Sequence, residues 1–204
     1  MSFEFKHCFT KDNIEISGLF EIQPKVFGDS RGYFFEVYSE KEFFEHGLKM
    51  KFVQDNQSCS SKGVLRGLHF QTEHPQGKLV RAVSGKVYDV AVDLRLNSPS
   101  FGKVYGTVLD SEKQNQFYIP QGFAHGFCVL SDEAIFAYKC TDFYDPKGEG
   151  GILWNDPFLN IDWEAVCPGI SNTAILSEKD KKHPAFDPNG KYFDLSGRWL
   201  GGIP

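Results

Sequence analysis

The segment that decides the fold reads Lys78-Leu-Val-Arg-Ala-Val83, then Ser84-Gly85-Lys86, then Val87-Tyr-Asp-Val-Ala-Val-Asp-Leu94. Both outer stretches are rich in β-branched residues that favour strands, and the glycine-centred sequence between them is typical of a hairpin turn. Because successive side chains of a strand point to opposite faces, the second stretch should present two different faces. One face carries Tyr88, Val90, Val92 and Leu94, and the other carries Val87, Asp89, Ala91 and Asp93.

Strand-like runs continue beyond this segment, at residues 103–109, 117–119, 123–130 and 134–138, with turn-forming sequences between them. Helical signals are sparse. Ser39 and Glu42 have the spacing of a capping box, with Gly47 placed to end a short helix, and Ser177 could cap another before Pro184. Many short strands at near-regular spacing predict an all-β jelly-roll sandwich or barrel with a few short peripheral helices.

The chain of 204 residues is expected to form a single domain. We expect the barrel to span about 20–165 and the segment 166–204 to pack on it, since a jelly roll of this length is commonly one unit. The stretch 187–204 is rich in Gly and Pro, which predicts an irregular or partner-packed tail.

The net charge and the cysteine content indicate which classes of partner and which cellular compartment to expect. Lys plus Arg total 22 against 27 for Asp plus Glu, a net charge of -5, which argues against long nucleic acids and anionic membranes as partners. The 5 cysteines are odd in number and form no Cys-x-x-Cys pair, which argues against a disulfide framework and a thiolate zinc site. The polar N-terminus lacks a signal-peptide core, so a cytoplasmic location is expected.

Two histidine motifs carry the candidate chemistry. Gly63-Val-Leu-Arg-Gly-Leu-His69 and Pro120-Gln-Gly-Phe-Ala-His125 resemble the two signatures of cupins. Metal-binding cupins have a second histidine two residues after the first, and here that position is Gln71. With His69 and His125 alone, the site lacks the three or more protein ligands that catalytic metals need. Each histidine taken singly is more often a structural residue, but together they indicate a cupin that has lost its metal.

A histidine without metal in a barrel mouth is suited to acid–base chemistry, because it titrates near neutral pH. Strand alternation puts Lys78 and Arg81 on opposite faces, so one of them should point inward. Tyr138 is either a core aromatic or part of the chemistry, and Asp89 either lines the barrel or is exposed. The residues alone therefore indicate a metal-free cupin with a histidine, cations and aromatics near one mouth.

Several longer motifs resemble the dTDP-4-dehydrorhamnose 3,5-epimerase family. They are Gly28-Asp-Ser-Arg31-Gly-Tyr-Phe-Phe-Glu36, Gln54-Asp-Asn56, Val64-Leu-Arg66-Gly-Leu-His69, Gln76-Gly-Lys78, Ile119-Pro-Gln-Gly-Phe-Ala-His125, Glu149-Gly-Gly-Ile-Leu-Trp154 and Leu176-Ser-Glu-Lys-Asp180. The match is collinear from about residue 20 to residue 180. Two departures are Asp162-Trp163-Glu164 in place of the usual Trp-Pro and the tail 190–204, which has no counterpart in the pattern.

The resemblance implies an isomerase of rhamnose biosynthesis, for cell-surface polysaccharide, that inverts C3 and C5 of a dTDP-linked 4-keto-6-deoxyhexose through an enolate. It implies no cofactor and no metal. By residue match His69 is the base, Asp180 its paired carboxylate, Tyr138 the acid on the opposite face, and Lys78 the cation at the enolate oxygen. The implied substrate-binding residues are Arg31, Glu36, Gln54, Asn56, Arg66, Lys78, His125, Glu149 and Lys179.

The family further implies a homodimer whose N-terminal strands cross the interface, so that Arg31 could serve the neighbour's site. Three alternatives stay open. The enzyme could act at one carbon only or on a GDP- or CDP-linked sugar, or the chain could be a non-catalytic cupin that binds sugar nucleotides. A metal-dependent cupin oxygenase is a more distant alternative.

Overall fold

The structure, a computed structural model, describes residues 2–201, so Met1 and residues 202–204 of the predicted domain and tail lie outside the described residues. Thirteen strands and three short helices account for its regular structure. The strands are β1 (Phe3–Phe9), β2 (Glu15–Pro24), β3 (Phe27–Asp29), β4 (Gly32–Phe34), β5 (Gln54–Ser61), β6 (Leu65–Gln71), β7 (Lys78–Ser84), β8 (Lys86–Asp93), β9 (Val104–Asp110), β10 (Gln116–Ile119), β11 (Phe123–Val129), β12 (Glu133–Cys140) and β13 (Glu149–Gly151). The helices are α1 (Glu40–Glu45), α2 (Trp163–Val166) and α3 (Ile170–Thr173), with a 3-10 turn at Asp180–Lys182.

Two facing antiparallel sheets form the body of the molecule. One has the strand order β1-β2-β10-β7-β12-β5 and the other β13-β6-β11-β8-β9, while β3 and β4 form a separate hairpin. This all-β arrangement with short helices confirms the predicted jelly roll. The predicted strand runs are confirmed as well.

The predicted hairpin at Gly85 is wrong. β7 pairs with β10 and β12, whereas β8 pairs with β11 and β9, so the chain crosses from one sheet to the other at this glycine. Gly85 has φ +74°, and a Cβ on it would lie 2.2 Å from the Glu133 carbonyl oxygen. A glycine at a sharp corner and a glycine in a hairpin turn have the same local signature. Only the pairing partners distinguish them.

The two predicted faces of β8 are confirmed, and each packs into a different core. Val87 and Ala91 lie between the sheets, in a cluster that includes Phe117 and Phe136. Tyr88 and Val90 face outward, into a second cluster that the C-terminal segment covers. Both faces are therefore buried, which explains why this strand is apolar on both sides.

The C-terminal segment contains no helix or strand from residue 183 to residue 201, as expected for an irregular tail, and it packs on its own chain. Phe193 is 1% exposed, its ring lies 5.6 Å from that of Phe70 and 5.1 Å from that of Trp199, and its N–H donates to the Leu94 carbonyl. The tail thus completes the outer core, because a sheet with an apolar outer face must bury it against another layer.

Replacement of Phe193 by alanine is expected to lower the free energy of unfolding by about 3–5 kcal/mol, because it removes a buried ring and leaves a cavity. Urea denaturation measures the change. The matched control is Phe143→Ala, at a side chain 63% exposed, for which we expect a change within about 0.5 kcal/mol. Equal stability of the Phe193→Ala and wild-type proteins would contradict a structural role for the tail.

The sequence signals predicted where the helical segments lie, but not how they are capped or how long they are. α1 begins after Ser39 and Gly47 follows it with φ +83°, yet the Ser39 side chain makes no capping bond. Glu42 instead accepts a hydrogen bond from the Ser2 N–H at 2.8 Å, so the predicted capping box is wrong. The second predicted helix is only the 3-10 turn, whose Asp180 N–H donates to Ser177 Oγ at 3.1 Å. Among residues 2–201 no helix combines the length and hydrophobicity needed to cross a membrane.

Candidate active site

His69 and His125 are brought together by the pairing of β6 with β11, in which they lie directly opposite each other. Side chains at opposed positions of neighbouring strands share a face. The two strands approach closely at Gly67, where a Cβ would lie 2.5 Å from Gly126 Cα and so only glycine fits. Both imidazoles therefore reach the space between the sheets from the same strand pair.

His69 is paired with Asp180 across the fold. Its Nε2 lies 2.5 Å from Asp180 Oδ1, and Asp180 is 3% exposed. Burial would raise the pKa of Asp180, but the hydrogen bonds from His69 and Ser177 hold that pKa below its usual value. The carboxylate is therefore ionised at neutral pH and bonds to Nε2 of the ring, which leaves Nδ1 as the second ring nitrogen.

His125 has a carboxylate of its own. Its Nε2 lies 2.9 Å from Asp89 Oδ1 and 3.0 Å from Oδ2, and Asp89 is fully buried. Burial lowers the pKa of His125, with the Asp89 carboxylate acting in the opposite direction. Burial likewise raises the pKa of Asp89 despite His125. Asp89 thus lines the barrel interior, which settles the alternative left open by alternation.

The opposite sheet contributes Lys78 and Tyr138. In the pairing of β12 with β7, Tyr138 lies opposite Val80 and Cys140 opposite Lys78, so these residues share the face that looks toward His69. Lys78 is therefore the inward cation, and no salt bridge joins it to another of residues 2–201. Burial lowers the pKa of Lys78, offset in part by Cys140, Asp89 and Glu149.

Tyr138 is a half-buried phenol whose protonation is set by its environment. Burial raises the pKa of its phenol, although the nearby Arg66 acts in the opposite direction. The phenol therefore keeps its proton at neutral pH, as a general acid must. In the pairing of β12 with β5, Tyr138 lies opposite Asn56, which places that amide on the same inner face.

These side chains line two adjoining cavities. The first, of about 260 Å³, brings together seven of the predicted site residues: Arg66, His69, Lys78, His125, Tyr138, Lys179 and Asp180. The second, of about 310 Å³, shares His69, Lys78 and Tyr138 with it and adds the predicted residues Gln54, Asn56 and Glu149. The geometry thus unites all four predicted catalytic residues with most of the predicted binding residues.

Arg31 and Glu36 lie apart from these cavities. Arg31 sits at the exposed turn of the β3–β4 hairpin, where its Nη2 lies 2.5 Å from Asp29 Oδ2, and Glu36 is exposed beyond β4. Within one chain, neither reaches the His69 cavity.

Glu149 lies at the rim of the second cavity and bonds to two other residues there. Its carboxylate forms a salt bridge with Lys179 and accepts a hydrogen bond from Tyr144 OH at 2.5 Å. Burial would raise the pKa of Glu149, but these two partners hold it below its usual value. The rim thus joins β13 to the segment that carries Asp180.

Sequence reasoning missed two residues of the site. Tyr144 lines the second cavity, and His183 lies beside the His69–Asp180 pair, with its ring centre 5.3 Å from that of His69. The available signal for His183 was its position three residues after Asp180, which places both on neighbouring positions of one helical turn.

The residues at the cupin metal positions do not form a ligand set. His69 is engaged with Asp180 and His125 with Asp89, while Gln71 Oε1 accepts the Asp145 N–H at 3.1 Å. The donor atoms are thus committed to separate partners.

A jelly roll whose cavity holds a His–Asp pair, a buried cation and a protonated phenol defines a cupin-type enzyme for proton transfer. Comparison with known proteins agrees. The family model for dTDP-4-dehydrorhamnose 3,5-epimerase matches residues 13–188. The chain belongs to the dTDP-4-dehydrorhamnose 3,5-epimerase family, which consists of isomerases.

Three relatives show the extent of the match. The dTDP-4-dehydrorhamnose 3,5-epimerase of Shigella flexneri is 54% identical over 167 residues, 81% of this chain and 92% of that protein. The crystal structure of the enzyme from Elizabethkingia anophelis has a TM-score of 0.81 and 51% identity, covering 91% of this chain and 97% of the other. That of dTDP-6-deoxy-D-glucose-3,5-epimerase from Legionella pneumophila in complex with dTDP-4-keto-L-rhamnose has a TM-score of 0.80 and 48% identity, covering 89% and 93%.

Proposed function

We propose that this protein inverts C3 and C5 of dTDP-4-dehydro-6-deoxy-glucose and so forms dTDP-4-dehydro-L-rhamnose. The observation that carries the proposal is the joint position of His69, Asp180, Lys78 and Tyr138 around one cavity. The C4 ketone of such a sugar acidifies the neighbouring C–H bonds, because either carbanion delocalises onto the ketone oxygen as an enolate. The reaction then needs a base, an acid on the other ring face and a cation at the oxygen.

Each residue takes one of these roles. His69 removes the ring proton, and Asp180 stabilises the imidazolium that forms. Lys78 stabilises the enolate oxygen, with His125 beside it, since a positioned cation in a cavity of low dielectric is most effective where charge develops. Tyr138, on the opposite sheet, delivers a proton to the other face of the ring and thereby inverts the carbon.

The remaining predicted residues hold the sugar nucleotide. Arg66 can make charge-assisted bonds to the diphosphate. Gln54, Asn56, Glu149 and Lys179 surround the second cavity and supply polar contacts to the ligand. No cofactor is required by this chemistry.

Solvent exchange tests the proposed function. The dTDP-linked 4-keto sugar is incubated with the protein in deuterated water and followed by NMR, and we expect deuterium at both C3 and C5 of an epimerised product. Deuterium at one carbon only would indicate a single-carbon epimerase. Exchange seen only with the GDP- or CDP-linked sugar would indicate another nucleotide. Tight binding without any exchange would identify a non-catalytic sugar-nucleotide-binding protein and overturn the proposal.

The alkaline limb of the pH–rate profile should report Lys78. Burial lowers the pKa of this ammonium below 10.5, whereas burial raises the pKa of Tyr138 above 10.0. These opposite shifts move deprotonation of Lys78 to lower pH and ionisation of Tyr138 to higher pH, so kcat/KM should fall as Lys78 loses its proton, with an apparent pKa below 10.5. The Lys78→Met variant should have low activity without this limb. An unchanged limb in that variant would contradict the assignment.

We further propose that the protein acts as a homodimer with exchanged N-terminal strands, in which Arg31 contacts the substrate in the neighbour's site. Two features support this. Phe27, Tyr33 and Phe34 of the β3–β4 hairpin are exposed by half or more, and Arg31 beside them lies outside the cavities of its own chain. The scattered cysteines, all free, support a cytoplasmic location.

Complementation tests the shared site. Co-expression of Arg31→Ala and His69→Asn chains should restore about a quarter of wild-type activity, because half of the dimers are mixed and each mixed dimer has one intact site. Light scattering should show two chains per particle. If the particles are dimeric and no activity is restored, the proposal that Arg31 contacts the substrate in the neighbour's site is contradicted.

A further inference from the structure

His183 lies beside the His69–Asp180 pair, and the proposed reaction gives His183 no role. It follows the 3-10 turn that carries Asp180, and its ring lies over Gly151, where a Cβ would be only 2.3 Å from the ring. In the pairing of β13 with β6, Gly151 is directly opposite His69. Because Gly151 has no side chain, the His183 imidazole can lie next to the His69 imidazole.

The ring of His183 is buried without a partner at one nitrogen. Its side chain is 9% exposed, its Nε2 has no hydrogen bond to any of residues 2–201, and this atom lies 3.6 Å from Asp180 Oδ1. A buried polar nitrogen left unpaired is destabilising. Nε2 is therefore available as a ligand atom.

Three potential ligand atoms converge here. His69, Asp180 and His183 each offer one ligand atom, and these three atoms lie within 4.8 Å of one another. Two imidazoles and one carboxylate are a ligand set that zinc uses, with a fourth position left open. The cavity next to His69 and Asp180 supplies that open position.

We propose that His69, Asp180 and His183 form a binding site for a divalent transition metal, for which Zn²⁺ is the probe, and that occupation of this site inhibits the enzyme. This set is separate from the cupin metal positions, of which it shares only His69. The site is assembled when Zn²⁺ enters between Asp180 and the two rings.

Two of the ligand-to-ligand distances can be compared with those of a tetrahedral Zn²⁺ site. Ligand atoms about 2.1 Å from a tetrahedral Zn²⁺ are about 3.4 Å apart. The His183 Nε2 to Asp180 Oδ1 distance of 3.6 Å is already close to this value, and the His69 Nε2 to Asp180 Oδ1 distance of 2.5 Å must open by roughly 1 Å. Two nitrogen ligands favour Zn²⁺ over Mg²⁺, which prefers oxygen ligands and keeps its water.

Inhibition follows from the atoms that the metal takes, a consequence that rests on the proposed function. Zn²⁺ on His69 Nε2 and Asp180 separates the base from its orienting carboxylate and gives the ring a positive neighbour, so Nδ1 becomes a weaker base. The metal also blocks the cavity where the sugar lies. The metal-free protein is thus the active form.

Calorimetric titration of Zn²⁺ into the metal-free protein at pH 7.5 tests the binding without any substrate. We expect one Zn²⁺ per chain and no response to Mg²⁺. His183→Phe keeps a ring over Gly151 but no ligand atom, and should weaken Zn²⁺ binding by about 100-fold or more, since even loss of an outer-shell partner can cost 10–100-fold. His183→Gln serves as a second variant if the first does not fold. His74→Phe, at an exposed histidine that pairs with Asp142, is the matched control and should bind like wild type.

Activity provides the second readout. Zn²⁺ should inhibit wild type in competition with the sugar nucleotide, EDTA should reverse the inhibition, and His183→Phe should resist it. Absence of stoichiometric Zn²⁺ binding in wild type, or equal binding by folded His183→Phe or His183→Gln, would overturn the proposal. Zn²⁺ binding at this site in a protein without epimerase activity would preserve the metal site and refute only the proposed function.

Discussion

His69→Asn should lower kcat by about 10³-fold or more. General base catalysis contributes up to about 10⁴-fold, and asparagine cannot accept the proton from C3 or C5 of the sugar. The amide can still bond to Asp180, so binding of the dTDP-sugar and the unfolding free energy should change little. Deuterium incorporation at C3 and C5, followed by NMR, should fall by the same factor as turnover. Loss of both exchange and product is the signature of a missing base.

His74→Asn is the matched control for this variant. His74 is exposed, pairs with Asp142 through its Nδ1 at 3.4 Å and lines neither cavity of the site. Wild-type rates are expected for it. Exchange in His69→Asn at a rate near that of wild type would show that another group removes the proton.

Tyr138→Phe should separate proton exchange from inversion. The phenol lies on the sheet opposite His69, so its removal leaves the base free to take a ring proton and to return a deuteron from the same face. We expect epimerised product to fall by about 10²–10³-fold, the size of a general acid contribution, while exchange into the unchanged sugar continues. Mass spectrometry of recovered substrate and product measures both quantities in one reaction.

Tyr118→Phe is the control for the tyrosine variant. Tyr118 is buried in the cluster with Phe43 and Leu79, on the far side of the same sheet, and lies outside both cavities of the site. It should turn over like wild type. Equal loss of exchange and product in Tyr138→Phe would instead place the tyrosine on the side of proton removal.

The strands and their faces could be predicted from the sequence because they are local. Alternation of side chains along β8 predicted two different environments, and the structure has one core on each face. The same alternation established that Lys78 and Arg81 diverge. Which of them points inward depends on the partner strands β10 and β12, and that information is not local.

The site was harder to predict from the sequence, because its residues come from distant parts of the chain. Asp180 is 111 residues from His69, and no spacing rule joins them, so their pairing was expected only through the resemblance to the family. The turn at Gly85 was misread because a corner between sheets and a hairpin both need a positive φ. His183 was missed because its role depends on the empty space over Gly151.

The docking of the C-terminal segment sets the order in which a growing chain acquires its chemistry. His69 is in place once β6, β11 and β8 have paired, but Asp180 arrives on a later segment that Phe193 and its neighbours anchor to the outer core. A chain that ends before residue 180 lacks the carboxylate that bonds to His69. It also lacks the aromatic residues that complete the outer core, so loss of the last segment should remove stability and the His–Asp pair together.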